Sequence, residues 1–314
     1  MMPATAMKSR RIDSYLLCKF PAALSAAGVL ALPGIPCAAD DEAAARSKIR
    51  DALMFHVSFD KSTEADHARG DRSLYHAAAM NKRDAAAPGL PAGGEVKHAP
   101  QAGRFGGALR FNASKGPMVF FKADRNFPAP APAWSGTIAF WLNTDPAKEL
   151  PDGFCDPIQI TSKQWDDAAM FVEFEKRAAG IPFRLGVYAD KAVWNPAGRK
   201  FDDIPAAERP LITVSKPPFA AGKWTHVAFA FSRFNTGQPD GTATLYLDGK
   251  PAGSLGPRTQ TFTWDAAQAA IMPGLNYIGL MDDLAVFDRA LGTDEIGTLF
   301  ALKSGVAELK ATKP

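Results

Sequence analysis

Two glutamates, Glu173 and Glu175, stand two positions apart in Met170-Phe171-Val172-Glu173-Phe174-Glu175, where alternating polar and apolar residues mark a β-strand. At that spacing both side chains share one face, with Cα atoms roughly 6.5 Å apart. Retaining glycoside hydrolases hold their two carboxyls about 5 to 5.5 Å apart, so the pair supports an enzymatic reading with Glu173 and Glu175 as its acids. The competing reading is an ordinary solvated sheet face carrying two acids, and the basic residues Lys176-Arg177 follow directly.

A second group of residues suits recognition rather than turnover. Trp165, Tyr188, Trp194 and Trp264 fall in or beside loops, where an aromatic ring is costly to expose without a partner. Sugar-binding surfaces stack such rings on pyranose faces, and Gln164, Asp166, Asp167 and Asn195 lie close by as hydrogen-bonding groups. The same rings can instead pack long loops onto the body of the fold, and packing is the expectation for Trp264. His226 alternates into an apolar face with no serine, cysteine or second histidine at ligand spacing, which fits a structural histidine. Cys155 sits between Asp152 and Asp156, whose charges disfavour a thiolate, so an inert and partly buried thiol is expected.

The elements that must hold these residues are short strands. Leu53–Asp60, Ala108–Asn112, Met118–Phe121, Thr137–Asn143, Phe183–Tyr188, Trp224–Phe231 and Leu284–Phe287 read as such strands, with alternation clear in Phe183–Tyr188 and Trp224–Phe231. In Thr137–Asn143 both faces are apolar, as a strand covered on both sides requires. Asp248-Gly249 is the dipeptide of a tight hairpin turn. Residues 85–94 and 189–218 read as loops, the second an inserted surface loop with Trp194 and several prolines. A single helix is expected near the end, capped by Thr293 with Asp294 and Glu295 in its first turn. Ile296, Leu299 and Phe300 form its apolar stripe, and Gly305 can end it.

The N-terminus differs in kind. Lys8, Arg10 and Arg11 precede the 13-residue apolar run Phe20–Leu32, followed by Pro33-Gly34 and the small residues Cys37-Ala38-Ala39. Residues 1–39 read as a secretory signal peptide, since an apolar run of this length falls short of the roughly 20 residues of a membrane-spanning helix. Those residues carry Lys8, Arg10, Arg11 and Lys19 against Asp13, a net +3 that equals the +3 of all 314 residues. The mature chain is then formally neutral and offers no basic block for a nucleic acid. Cleavage also removes Cys18 and Cys37, leaving Cys155 alone and no intrachain disulfide.

Five phrases in fixed order carry a family resemblance. Gly106-Gly107-Ala108-Leu109-Arg110-Phe111-Asn112, Phe140-Trp141, Gly222-Lys223-Trp224-Thr225-His226-Val227, Tyr246-Leu247-Asp248-Gly249 and Met281-Asp282-Asp283 resemble the pattern of laminin G-like, concanavalin A-like domains of secreted proteins. The resemblance covers roughly residues 53–302. It implies an all-β fold, a two-sheet antiparallel jelly-roll sandwich with a short C-terminal helix. Residues 40–52 are left as a linker or short helix and 303–314 as a C-terminal tail. Because the two chain ends pair in one sheet of such domains, it also implies that Asp60, Asp66 or Asp71 lies near Asp282, where a structural calcium ion would find oxygen ligands; a salt bridge to Arg69 or Arg72 is the alternative. No other cofactor is expected. Glucanases of the superfamily carry acids at alternate positions on a concave strand, as Glu173 and Glu175 do, but this chain lacks the further aspartate and glutamate of that phrase.

The expectation is an exported, secreted or periplasmic binding module for an extracellular glycan or glycoprotein, with Trp165, Tyr188, Trp194, Gln164 and Asn195 as ligand-binding residues. A glycoside hydrolase or lyase using Glu173 and Glu175, and a protein-protein adhesion module, are the two competing classes. No span of the mature chain is expected to cross a membrane.

Overall fold

In a computed structural model, residues 38–128 and 130–310 are described. The expected signal peptide lies outside them, apart from Ala38 and Ala39. Seventeen strands are numbered in chain order. The first half runs β1 (Leu53–Val57), β2 (His67–Ala68), β3 (Leu74–Ala77), β4 (Ala87–Pro88), β5 (Val96–Ala99), β6 (Ala108–Phe111), β7 (Met118–Lys122) and β8 (Trp134–Asn143). Then come β9 (Gly153–Thr161), β10 (Ala169–Lys176), β11 (Phe183–Tyr188), β12 (Leu211–Val214) and β13 (Trp224–Phe234). The last four are β14 (Gly241–Leu247), β15 (Lys250–Arg258), β16 (Ala270–Leu275) and β17 (Gly279–Phe287). Three α-helices accompany them: α1 (Ala38–Asp51), α2 (Lys191–Trp194) and α3 (Thr293–Ala301).

The strands form two antiparallel sheets. One has the order β15-β14-β13-β8-β17-β1-β2, with β6 pairing β17 and β5 beyond it; the other runs β12-β11-β10-β9-β16-β7-β3-β4. Chain ends meet in the first sheet, where β1 pairs with β17. Between the sheets lies the main core, to which alternate residues of each strand contribute: Phe140 and Leu142 from β8, Val227 and Phe229 from β13, Met170, Val172 and Phe174 from β10, and Leu185 and Val187 from β11. The turn at Asp248-Gly249 has positive φ at both residues, 48° and 75°, as a two-residue hairpin matched to strand twist demands.

The outer faces of the two sheets have different fates, and this is what places the site. On the first sheet Ala139, Ala228 and Ala285 align across β8, β13 and β17. Their small side chains let helices approach closely, and Ile49 of α1, Ile296 and Leu299 of α3, and Val306 and Leu309 cover them. Residues 305–309, expected within a tail, are thus a packed 3-10 turn, and residues 40–51 are helix rather than linker. The helix α3 begins at Thr293 itself, so the cap falls one residue before the expected one, on Gly292, which donates its N–H to Glu295 Oε2 at 3.0 Å. The second sheet's outer face is covered over β3, β7 and part of β16 by the 3-10 segment Met80–Ala85, and over β9, β10 and β11 it forms the floor of a cleft.

Candidate functional site

The cleft is built on four neighbouring strands, β11, β10, β9 and β16, whose outward residues line up in rows. Register places Arg184 opposite Glu173, Leu275 opposite Asp156, and the series Gly186, Phe171, Gln159 and Met272 in the next row. Tyr188, Ala169, Thr161 and Ala270 follow in the row beyond. One irregularity matters. Between Val172 and Phe174 the β9–β10 register shifts, so that Asp156 and Pro157 oppose the single residue Glu173. The bulge turns Asp156 outward beside Glu173 while Cys155 and Ile158 remain in the core.

Above this floor is a cavity of about 640 Å³, bordered by Trp165, Phe201, Arg209, Phe154 and Arg177. Segment 189–218 therefore does not cover the cleft. It folds into α2, a 3-10 turn at Phe201–Asp203 and the edge strand β12, and supplies one wall through Phe201, Asp202 and Arg209. Trp165 meets Tyr188, Phe201 and Phe171 edge-on at 5.8, 6.2 and 6.5 Å between ring centroids. Phe171 lies stacked with Tyr188 at 5.5 Å, directly over Gly186, where any Cβ would collide with its ring. A glycine at 186 is what lets the aromatic floor lie flat.

The charged part of the floor is a clamp. Arg184 donates from Nε and Nη2 to Glu173 Oε1, at 3.0 and 2.6 Å, and from Nη1 to Glu175 Oε2 at 2.6 Å. Arg177 adds a contact to Glu175 Oε1 at 3.3 Å and lies over the Phe154 ring at 4.7 Å. Burial pushes the Glu173 carboxyl above its ordinary value, and Arg184 pulls the other way. Burial, with the charge of Glu173 beside it, raises Asp156 well above the usual carboxylate range. Both members of the expected acid pair thus accept hydrogen bonds from one guanidinium.

Other residues singled out by the sequence are distributed as follows. Gln164, Trp165 and Tyr188 line the cleft. Trp194 does not: its ring packs edge-on against Tyr188 at 4.9 Å and its indole N–H bonds to Asp166 O at 2.8 Å, so it supports the floor from behind. Asn195 is buried and stitches its own loop through Arg199 N and O. Asp166 and Asp167 anchor Lys191 of α2. Trp264 packs against Trp134 and Phe127 and donates to Ala168 O. Cys155 points into the core, where burial pushes its thiol up to about 12. Two floor residues, Asp156 and Gln159, escaped the sequence reading because Gly153 and Pro157 obscure the pattern of β9.

Of the carboxylates assigned to calcium, Asp60 and Asp282 lie against the same Gly103–Gly107 loop, while Asp66 and Asp71 are engaged elsewhere. Asp60 accepts from Gly107 N, Asp66 from Ser58 N, and Asp71 from Ser73 N and Tyr75 Oη beside Lys122. Asp282, fully buried, accepts from Phe105 N at 3.0 Å, and burial raises its pKa to about 8. Among the described residues no group of three or more His, Cys, Asp or Glu is disposed to hold a metal ion. Asp283, in the left-handed region at φ 54°, turns the other way to bond His56 Nε2 at 2.7 Å and Val306 N.

Two antiparallel sheets packed face to face, one of them with an open outer cleft, define a jelly-roll β-sandwich. The chain belongs to the concanavalin A-like lectin/glucanase superfamily: the Laminin_G_3 model of that superfamily matches residues 123–297. No curated protein matches in sequence. Among solved structures, the receptor binding domain of botulinum neurotoxin C/D mosaic serotype superposes with a TM-score of 0.53 at 12% identity, over 80% of this chain and 51% of that one. Domain 4 of AbnA, an extracellular arabinanase of Geobacillus stearothermophilus solved with arabinotriose, gives 0.48 at 17% identity, over 80% and 98%. Trypanosoma rangeli sialidase gives 0.47 at 16% identity, over 82% and 33%. For the neurotoxin domain, at 12% identity, the likeness is one of fold. This chain spans about half the neurotoxin domain and a third of the sialidase.

Proposed function

We propose that the protein is an exported, non-catalytic glycan-binding module whose ligand lies in the cleft on the outer face of β9, β10 and β11. One observation carries this reading. Among the described residues only three large apolar side chains are exposed, and two of them, Phe154 at 45% and Trp165 at 46%, stand at the rim of this cavity. Aromatic rings held in water around a polar floor are what stacking on sugar rings requires. The clamp of Arg184 on Glu173 Oε1 and Glu175 Oε2 favours binding over hydrolysis, because each carboxylate already shares a cation before any ligand arrives. Among the described residues no helix is long and apolar enough to cross a membrane.

Isothermal titration against a panel of soluble polysaccharides, with Trp165→Ala beside the wild-type chain, tests the reading. Loss of one stacking partner is expected to weaken binding by up to about tenfold, the equivalent of about 1.4 kcal/mol, with little change in Tm. Binding unaffected by Trp165→Ala places the ligand elsewhere. Product release from the same polysaccharides, abolished by Glu173→Gln, would replace the binding module with a hydrolase or lyase.

A further inference from the structure

Gln159 occupies the centre of the cleft floor, and its cross-strand neighbours are Phe171 and Met272. Neither can complete a side-chain amide. The residue is 2% exposed, and its Nε2 is buried with no hydrogen-bond partner. Turning the amide over would only put the oxygen in the orphaned position, so the mismatch does not depend on which atom is which. A buried unpaired polar group destabilises a protein, and a residue of similar size without the amide would avoid that cost. The folding of the sandwich gives no reason for a glutamine here. A ligand does: Gln159 lines the cavity, and a group entering it can supply the missing partner.

Asp156 lines the same cavity beside Gln159. The bulge opposite Glu173 directs it to the floor in the row next to Gln159, with Leu275 as its partner on β16. Glu173 is already engaged by Arg184. Three arginines of the cleft, Arg177, Arg184 and Arg209, face the four acids Asp156, Glu173, Glu175 and Asp202, so the lining is close to balanced in charge. An anionic ligand would meet the carboxylates without a surplus of cations to offset them.

We propose that Gln159 and Asp156 read the hydroxyls of a neutral glycan chain laid along β9 between Phe154 and Trp165. This rests on the glycan-binding reading of the cleft and adds the ligand class and the residues that select it. A hydroxyl donates and accepts at once, and therefore satisfies an amide in either orientation and a carboxyl in either protonation state. Length follows from the strand: seven residue steps separate Phe154 from Thr161, roughly 23 Å at about 3.3 Å per residue, which a single sugar ring cannot bridge.

The test uses the full chain, titrated with unbranched neutral oligosaccharides of one to six residues from the cello, xylo, arabino and galacto series, alongside Gln159→Leu, Gln159→Met and Asp156→Asn. The substitutions to leucine and methionine are expected to leave Tm unchanged or raised while lowering hexasaccharide affinity at least tenfold, an opposition of signs that a structural glutamine does not produce. Asp156→Asn is expected to weaken the same titration, and wild-type affinity to climb from one residue to six. A lowered Tm with affinity retained in both Gln159 variants overturns the inference, as does affinity that is flat with chain length. A wild-type chain that binds no member of the set overturns the glycan reading and the inference together. Binding that survives the variants overturns the inference alone.

Discussion

Removing Arg184 is the perturbation that most directly probes the cleft floor. Its side chain is 9% exposed, that of Glu173 8%, and three hydrogen bonds of 2.6 to 3.0 Å tie it to Glu173 and Glu175. In Arg184→Met, Glu173 stays buried next to Asp156 without its counter-ion, and breaking one side of a buried pair costs about 3 to 5 kcal/mol. For a domain of this size that corresponds to a fall in Tm of roughly 10 °C. The effect has a definite pH dependence. Glu173 already holds its proton above the ordinary value of 4.5 because burial outweighs Arg184, and loss of Arg184 raises it further. Between the unfolded and folded pKa the native state binds the proton that the unfolded chain has released, so the loss of stability is small below pH 4.5 and grows as pH rises. Urea denaturation at pH 4 and pH 7.5 measures this. The double variant Arg184→Met with Glu173→Met, which buries no charge at either position, is expected to recover most of the stability at pH 7.5. An equal loss at both pH values, or a loss below about 1 kcal/mol at pH 7.5, would falsify the account of the clamp.

Gly186→Ala is expected to push Phe171 off the floor and cost about 1 to 3 kcal/mol by urea denaturation, with weakened glycan binding; a neutral result would mean that Phe171 does not need the glycine. His226, fully buried between Trp141 and Phe300, has a pKa lowered by burial to about 4. Its folded value lies below the unfolded 6.5, so the stability it confers is present above pH 6.5 and falls as pH drops toward 4, by about 3 kcal/mol in all. His226→Phe should flatten that part of the stability profile, and an unchanged slope would assign it to other groups. Since Asp60, Asp66, Asp71 and Asp282 each engage a different neighbour, millimolar calcium is expected to leave Tm unmoved; an upward shift in a thermal scan would show an ion bound there.

Local pattern carried much of the scaffold. Period-two alternation marked β8, β10, β11 and β13 closely, and Asp248-Gly249 turned as its φ preference requires. It failed at β9, where Gly153 and Pro157 interrupt the run that holds Phe154, Asp156 and Gln159. It also failed at β12 and β16, and it could not tell that Trp194 and Asn195 pack inside their own loop while Trp165 stays out in the water. The aspartates 282 and 283 lie side by side in sequence, yet the positive φ at Asp283 sends one to the Gly103–Gly107 loop and the other to His56.

By itself the sequence determined most of the strands, the sandwich they must form and the residue types available for recognition, because periodicity and turn chemistry act over a few residues and need no partner. Only the tertiary structure decided which of those residues form a site. Strand register set Arg184, eleven positions from Glu173, against it, and a bulge brought Asp156 alongside. Alanines on one sheet accepted helices and closed that face, while the other sheet kept an open floor. Those outcomes depend on contacts between segments far apart in the chain, and no local pattern encodes them.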